Sequence, residues 1–591
     1  MAADPTPHEG PRPLGAYQRA SWIAAGTGIV ALGIGLQPDL APVPLAPIDG
    51  TTLARVGLAV SGLIAIAVGA GGWRLPCLPP ADRLRLPPTE GEEIRRPLLW
   101  LAAITVVAAA LRLYGIDKSL WLDEIITVAH AGRPFHEYFT ASRILSNHLL
   151  HTLLVRGAVR IAGHEEWAIR LPAVAFGVAT VPAVYALARV VLRRREALLA
   201  ALILATSYTH VFFSQNSRGY AALVFWTAVA TGLLMRALAG DRARDWWGFA
   251  VASFLACATM VLGGFTLVGQ ATVLLLVAAR VRRDGGRPGP IVLKGLVVIG
   301  AAGLAVFDLY AVALPGLYWH VRPVPVKQVV ELHNRFWHEL GWGLGQAFSN
   351  AGVVALLVVA ILLTPGMIRF VRRHPIYCAY LAAPVATLGA GVLLLHLFAA
   401  PRYFLWAVVP FSIGLVGSAA LWPRGGRWAA PVVAALVVVG SLAGLNDYYD
   451  VPFQSSRESV EWILDQSAPE DVVVAVTTAQ PLVRYYGELL GLFRARTVHF
   501  ASSTEDLRSI DRAYAGRRVW ILTTARRALD QFHRDMADYV DSCYRPVRSF
   551  PAKIHGMRIT VWRGPCGSGR AEDEWRRDPL TGGIAGAQSL H

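Results

Sequence analysis

Apolar runs of about 20 residues recur along the chain, each long enough to cross a hydrocarbon layer ~30 Å thick. This recurrence limits the fold more than any motif does. Backbone exposed to lipid must satisfy its own hydrogen bonds, so the runs are expected to be helices. Of 591 residues, 54% are hydrophobic and only 16% charged, and the mean hydropathy is +0.44. Such values exclude an ordinary soluble domain and predict a polytopic α-helical membrane protein. The formal net charge of +16 does not point to nucleic acid. The basic residues gather at the ends of apolar runs, as orientation signals do. Cys77, Cys257, Cys378, Cys543 and Cys566 have no metal-ligand spacing. The first run begins near Ser21 after a polar, Pro-rich leader with no clear cleavage site, and it reads as a retained anchor.

About thirteen spans are expected. The first two cover about 20–37 and 52–73. Between them lie Asp39 and Asp49 but no Lys or Arg, while 74–96 carries Arg74, Arg83, Arg85, Arg95 and Arg96. The positive-inside rule then puts the first loop outside and the second in the cytoplasm. The remaining spans, 97–113, 168–192, 196–213, 219–239, 246–263, 265–281, 291–311, 346–370, 376–399, 403–421 and 428–445, alternate without exception. Residues 144–163 are amphipathic, with Arg156 and Arg160 on one face, and are expected to lie in the interface. The outer pieces are 115–166, 214–218, the loop 312–345 and everything after about 446. The last alternates helices (457–467, 480–491, 504–514, 526–541) with strands (471–476, 497–500, 519–524, 558–562), a small α/β extracytoplasmic domain. Its compartment permits a Cys543–Cys566 disulfide. The expected division is a two-helix membrane extension (1–96), a transmembrane core (97–445), the α/β domain (446–566) and a disordered polar tail (567–591).

Four constellations fall on the outer side. Asp123 and Glu124 follow the third span, and carboxylates there are costly at mid-membrane, so they belong at the interface or in a wet cavity. The plain alternative is an exposed acid pair in a loop. Ser214-Gln215-Asn216-Ser217-Arg218-Gly219-Tyr220 and Pro401-Arg402-Tyr403-Phe404 lie where spans turn over, and the loop 312–345 contains Lys327 among several histidines and arginines. Arg218 and Arg402 stand outside, against the charge bias, and a phosphate is the natural partner of such a guanidinium. The plain alternative is snorkelling to lipid headgroups. His148 and His151, spaced i, i+3, fit substrate contact or interface packing better than zinc. The α/β domain has no Gly-rich phosphate loop after its first strand, which argues against a nucleotide there.

These parts suit one chemistry. A sugar attached through phosphate already has a good leaving group, which needs cations to neutralise its developing charge. An acceptor hydroxyl needs one carboxylate to take its proton. Inversion requires only that base and donor lie on opposite faces of the sugar.

The segments Leu120-Trp-Leu-Asp-Glu124, Asn147-His-Leu-Leu150, Arg170-Leu-Pro-Ala173, Ser214–Tyr220 and Pro401-Arg-Tyr403 resemble, in order and spacing, those of GT-C glycosyltransferases. The branch is that of protein O-mannosyltransferases and the lipid A aminoarabinose transferase, and the likeness covers about 97–445. It implies a polyprenyl-phosphate sugar donor, inverting transfer on the extracytoplasmic face of the inner (plasma) membrane, and no obligatory metal, with a divalent cation left open. It places the catalytic carboxylate at Asp123 with Glu124 beside it, and the donor phosphate on Arg218, Arg402 and Lys327. His148, Gln215, Asn216, Tyr220 and Tyr403 are then expected to bind substrate. Two departures stand out. Asn216 occupies a position where relatives usually carry an acid, and Leu149-Leu150 replaces the usual Pro-Pro. The acceptor stays open among lipid, glycan and protein. A flippase of lipid-linked sugars would need polar groups within spans, where Asp308 is the main candidate. A scaffold presenting the α/β domain would leave the acids and outer arginines unexplained.

Overall fold

The computed structural model describes residues 16–35, 50–71, 76–85, 96–134, 137–140, 148–314, 326–394, 400–423, 426–554 and 557–564. The expectations for Asn147, residues 315–325, Cys566 and the tail 567–591 lie outside the described residues. The chain forms two compact units. The first holds residues up to Tyr114, His130–Ile161 and Arg170–Gly444; the second holds Gly115–Ala129, Ala162–Ile169 and the chain from Leu445.

The first unit is helical. Among the described residues nine helices are long and apolar enough to cross a membrane, ten if one bent pair counts as a span. The apolar runs of the sequence number about thirteen. The other three exist as the helices Ala16–Gly35, Pro97–Leu113 and Ala243–Thr259. The last two have 17 residues each, about 26 Å at ~1.5 Å per residue. Arg112 closes one and Arg244 and Asp245 open the other, which shortens the apolar stretch further. The expected span 196–213 is the bent pair. Arg194–Thr206 and Tyr208–Ser214 meet at 57°, broken at Ser207, whose hydroxyl accepts the His210 N–H at 3.4 Å and so starts a new helix.

The loop expected over 312–345 is largely helix. Residues Val326–Arg373 form one helix of 48 residues, of which Gly352–Arg373 is span-like. An i,i+4 pair, Arg335 Nε to Glu339 Oε1 at 2.8 Å, supports its polar half. The segment expected to lie in the interface is the helix Leu149–Ala162. It is too short to cross, and Arg156 ties it to the carbonyls of Ala131 and Arg133 and to the Tyr138 hydroxyl.

One end of the bundle is pinned by a buried ion pair. Asp241 caps the helix Tyr220–Gly240 in the left-handed region, with φ of 53°. Its carboxylate takes Lys294 Nζ, the Trp246 indole N–H at 3.1 Å and the Leu78 N–H at 2.7 Å.

The second unit is built on a five-stranded sheet of order β2-β1-β3-β5-β4. Strands β1 (Val472–Val476), β2 (Thr497–Ala501) and β3 (Val519–Thr523) are parallel, and β5 (Ile559–Gly564) runs antiparallel between β3 and β4 (Arg545–Phe550). The continuous apolar runs of β1 and β3 are buried along their whole length, as central strands require. Strand β4 is not among the strands expected from the sequence. Arg545-Pro-Val-Arg-Ser-Phe550 shows an edge strand's polarity, with Pro546 and two arginines discouraging further pairing. The expected helix 526–541 is two, Arg526–Phe532 and Arg534–Cys543, parted at His533. Cys543 is disulfide-bonded.

Replacing Asp241 by Ala leaves the Lys294 ammonium buried without its carboxylate. The expected cost is about 3–5 kcal/mol, seen as a lower unfolding midpoint of the detergent-solubilised protein. Asp241→Leu combined with Lys294→Met is expected to recover most of that loss.

Candidate active site

Ser214, Gln215, Asn216, Ser217, Arg218 and Tyr220 are each at most 5% exposed, although the chain reverses there. Buried polarity of this kind is mostly hydrogen-bonded. Gln215 Nε2 donates to the carbonyls of Arg112, at 2.9 Å, and Tyr114, at 2.7 Å, filling the orphan acceptors at the end of Pro97–Leu113. The Arg218 N–H donates to the Asn216 carbonyl at 2.6 Å, so the backbone turns within three residues.

Two histidines hold this turn on either side of Arg218. His148 Nδ1 accepts the Gly219 N–H at 2.6 Å, and His151 Nε2 lies 3.3 Å from Ser217 Oγ. A Cβ at position 219 would meet Thr259 Cγ2 at 2.8 Å and His148 at 3.2 Å, so the close approach requires glycine. Accepting an N–H requires Nδ1 to be unprotonated, so His148 is neutral with its proton on Nε2. Burial, then Arg218, His151 and Arg402, hold its pKa well below the ordinary imidazole value. Burial and Arg218 pull His151 down to about 3, against the opposing Ser217 hydrogen bond. The His148 ring stands edge-on to Tyr220, centroids 5.2 Å apart.

Arg402 comes from the short turn Pro401–Ala407, which packs on the helix Tyr220–Gly240. Its guanidinium lies 5.6 Å from the centre of the Tyr403 ring and hydrogen-bonds that side chain. Tyr403 lies within electrostatic reach of Arg402, Tyr220 and Arg218. The first unit therefore gathers Arg218, Arg402, His148, Tyr220 and Tyr403 in one neighbourhood, with Gln215 and Asn216 in the adjoining turn. Both amide atoms of Asn216 are buried without a hydrogen-bond partner. Lys327 lies in the first turn of Val326–Arg373, and its side chain lies outside the described residues.

A buried cation that sequence reading passed over sits beside the turn. Arg112 is fully buried. It donates to the Ala108 and Ala205 carbonyls, both at 2.9 Å, to Ser214 Oγ at 3.2 Å and to His210 Nδ1 at 2.7 Å. In sequence it is one arginine at a helix end, indistinguishable from a snorkelling one. Three of these four partners, Ala205, His210 and Ser214, lie about a hundred residues away, and only folding brings them together.

The acid pair belongs to the second unit. Both acids lie in the first turn of the helix Leu122–Ala131, where the helix dipole favours them, and not in an exposed loop. Glu124 is fully buried, and its Oε2 accepts the Trp121 N–H at 3.2 Å, closing its own helix start. Asp123 is half-buried. The turn before them is stitched to distant chain. Ser119 Oγ donates to the Gln454 carbonyl at 2.7 Å, the Leu122 N–H to Gln454 Oε1 at 3.0 Å, and the Leu120 N–H to the Tyr486 hydroxyl at 2.7 Å. Gln454 in turn donates to Thr524 Oγ1 at 2.7 Å, just beyond β3. The Tyr486 hydroxyl donates to Glu166, which also pairs with Arg457. Among the described residues no three His, Cys, Asp or Glu side chains are grouped to hold a metal ion.

Residues 147–306 match the family model for dolichyl-phosphate-mannose-protein mannosyltransferases. The matched stretch contains His148, Gln215, Asn216, Arg218 and Tyr220, and leaves out Asp123, Glu124, Lys327, Arg402 and Tyr403. No curated protein sequence matches the chain. Solved structures resemble it loosely. ArnT from Cupriavidus metallidurans bound to undecaprenyl phosphate is 13% identical, over 79% of this chain and 97% of that one, with a TM-score of 0.39. The oligosaccharyltransferase AglB from Archaeoglobus fulgidus, with an inhibitory peptide and a dolichol-phosphate, is 12% identical, over 78% and 74%, with a TM-score of 0.43. The S. cerevisiae protein O-mannosyltransferase complex bound to the sugar donor is 18% identical, over 39% and 34%, with a TM-score of 0.28.

The lowered histidine pKa values set a pH dependence. Above about 6.5 the folded and unfolded chains bind the same protons at these rings, and no stability is lost. As pH falls from there toward 3, the unfolded rings take protons that the folded ones refuse. Stability is then expected to drop by up to about 1.4 kcal/mol per pH unit for each histidine. Unfolding midpoints of the solubilised protein between pH 7 and 4.5 check this, and His151→Gln is expected to give a shallower fall.

Proposed function

We propose that this transferase moves a sugar from a polyprenyl-phosphate donor to an acceptor hydroxyl, with inversion, on the extracytoplasmic face of the plasma membrane. One observation carries the donor assignment. Arg218 and Arg402 each stand immediately at or before the N-terminus of an apolar helix, Tyr220–Gly240 and Pro401–Ala420. A helix N-terminus already bears partial positive charge, so an arginine is on its unfavourable end unless an anion joins them. Two such ends within reach of one neutral His148 fit a phosphate that becomes the leaving group. Its charge is neutralised by guanidinium and dipole, with no acid needed to protonate it.

Asp123 is the assigned general base toward the acceptor hydroxyl. Glu124 spends its carboxylate on its own helix start, whereas Asp123 keeps a partly exposed side chain. The sequence's charge bias at span ends supports the extracytoplasmic side. ArnT's bound undecaprenyl phosphate and the dolichol-phosphate of AglB make a prenyl phosphate the natural donor class to assay.

Transfer from a radiolabelled polyprenyl-phosphate sugar by the purified, reconstituted protein tests these roles. Asp123→Asn is expected to lower kcat by roughly 10²–10⁴-fold with donor binding kept. Arg218→Gln or Arg402→Gln is expected to weaken donor binding by about 10–150-fold, the loss of a charge-assisted hydrogen bond. Full activity in Asp123→Asn would remove the base assignment, and unchanged donor affinity in both arginine variants would remove the phosphate site.

A further inference from the structure

A cavity of about 750 Å³ opens in the first unit at the other end of the helix that Arg218 precedes. Tyr220 opens that helix and Met235, in the cavity wall, lies 15 residues on, about 22 Å away at ~1.5 Å per residue. The cavity is distinct from the donor site just proposed. Its rim carries Arg83, Arg85, Arg280 and Arg373, and its floor is apolar, with Val191, Val277 and Ile376 among the lining residues.

The acids in the lining do not balance these cations. Asp82 is buried, and its carboxylate accepts the Arg287 N–H at 3.1 Å. Asp284 lies 3.7 Å from Arg280. Arg83 donates to the Leu78 carbonyl at 3.1 Å. Arg85 and Arg373 are exposed and make no ion pair among the described residues.

A basic cluster at span ends needs no cavity to orient a membrane protein. Here one wall is built. The segment 76–85 is fastened by the Leu78 N–H to Asp241, by the Leu84 N–H to the Leu238 carbonyl at 3.0 Å, and by Asp82 to the backbone at 287. An inorganic anion would have no use for the apolar floor. An amphiphile would, and the helix that ends at Arg373 shows Met367, Ile368 and Val371 at 40–47% exposure, an apolar face along which an acyl chain can run.

We propose that this cavity binds an anionic phospholipid, its phosphate on Arg85 and Arg373, its glycerol region over the apolar floor and its chains along the helix Gly352–Arg373. Basic pockets between membrane helices bind lipid headgroups in this way.

The test uses the full-length protein in detergent, probed with phosphatidylglycerol mixed micelles, phosphatidylcholine mixed micelles and inorganic phosphate. Phosphatidylglycerol is expected to raise the unfolding midpoint, and native mass spectrometry is expected to retain it on the protein. Phosphatidylcholine and phosphate alone are expected to do neither. Arg85→Gln with Arg373→Gln is expected to weaken phosphatidylglycerol binding by about 25-fold, fivefold for each arginine. Arg244→Gln, an exposed arginine outside the cavity, is expected to leave it unchanged. Val191→Trp, which intrudes on the cavity without touching charge, is expected to weaken retention and provides a second route should the double variant fold poorly. Equal stabilisation by phosphatidylcholine, an equal effect of phosphate alone, wild-type binding in the double variant, or equal loss in Arg244→Gln would each overturn the proposal.

Discussion

A cation buried among apolar helices must be met by oxygen or by a lone pair, because hydrocarbon supplies neither. That constraint orders the first unit. Lys294 is met by Asp241, whose carboxylate also collects an indole and a backbone N–H. Arg112 is met by two helix carbonyls, a serine hydroxyl and a histidine. In joining three helical segments it fixes where the polypeptide bends at Ser207 and turns at Ser214. A Cβ at Gly177 would lie 2.2 Å from Ser214 Oγ, so the neighbouring helix packs directly on this knot. Arg112 thus ties down the start of the turn whose Arg218 end the two histidines hold, although Arg112 has no part in the proposed chemistry.

The second unit is not simply the chain after the last span. Gln454 holds the turn before Asp123 with its backbone carbonyl and side-chain oxygen, and its amide nitrogen reaches Thr524 and the Met557 carbonyl at 3.1 Å. Tyr486 adds a hydroxyl that accepts from Leu120 and donates to Glu166. The acid-bearing helix therefore starts on hydrogen bonds supplied by the α/β domain. A chain cut near 450 would lose Gln454 and Tyr486 together, and with them the geometry of Asp123.

Much of this was legible in the chain. The apolar runs announced the helices, and the valine stretch of β1 a strand. What stayed hidden depends on partners distant in sequence. Arg112 looks like any helix-end arginine until Ala205 and His210 come alongside. The acid pair looked like a loop, because nothing in Leu120-Trp-Leu-Asp-Glu124 says that Glu124 turns back to cap Trp121. Residues 326–345 looked like a loop because their charges are dense, yet Arg335 and Glu339 lie one turn apart and brace a helix. Strand β4 lacks apolar alternation because it is an edge, and an edge is a property of the sheet.

The neutrality of the two histidines bears most directly on the chemistry. A protonated His148 would lose the lone pair that takes the Gly219 N–H, and the turn presenting Arg218 would lose its anchor. Burial and the adjacent guanidiniums prevent this near neutral pH. The histidines thus let Arg218 keep a fixed position without adding charge of their own. In the reaction proposed above, a phosphate leaving group is served by that arrangement, in which the positive charge sits on groups that cannot give up a proton. It stays available while charge builds on the departing oxygen, and the proton that must move is left to a carboxylate.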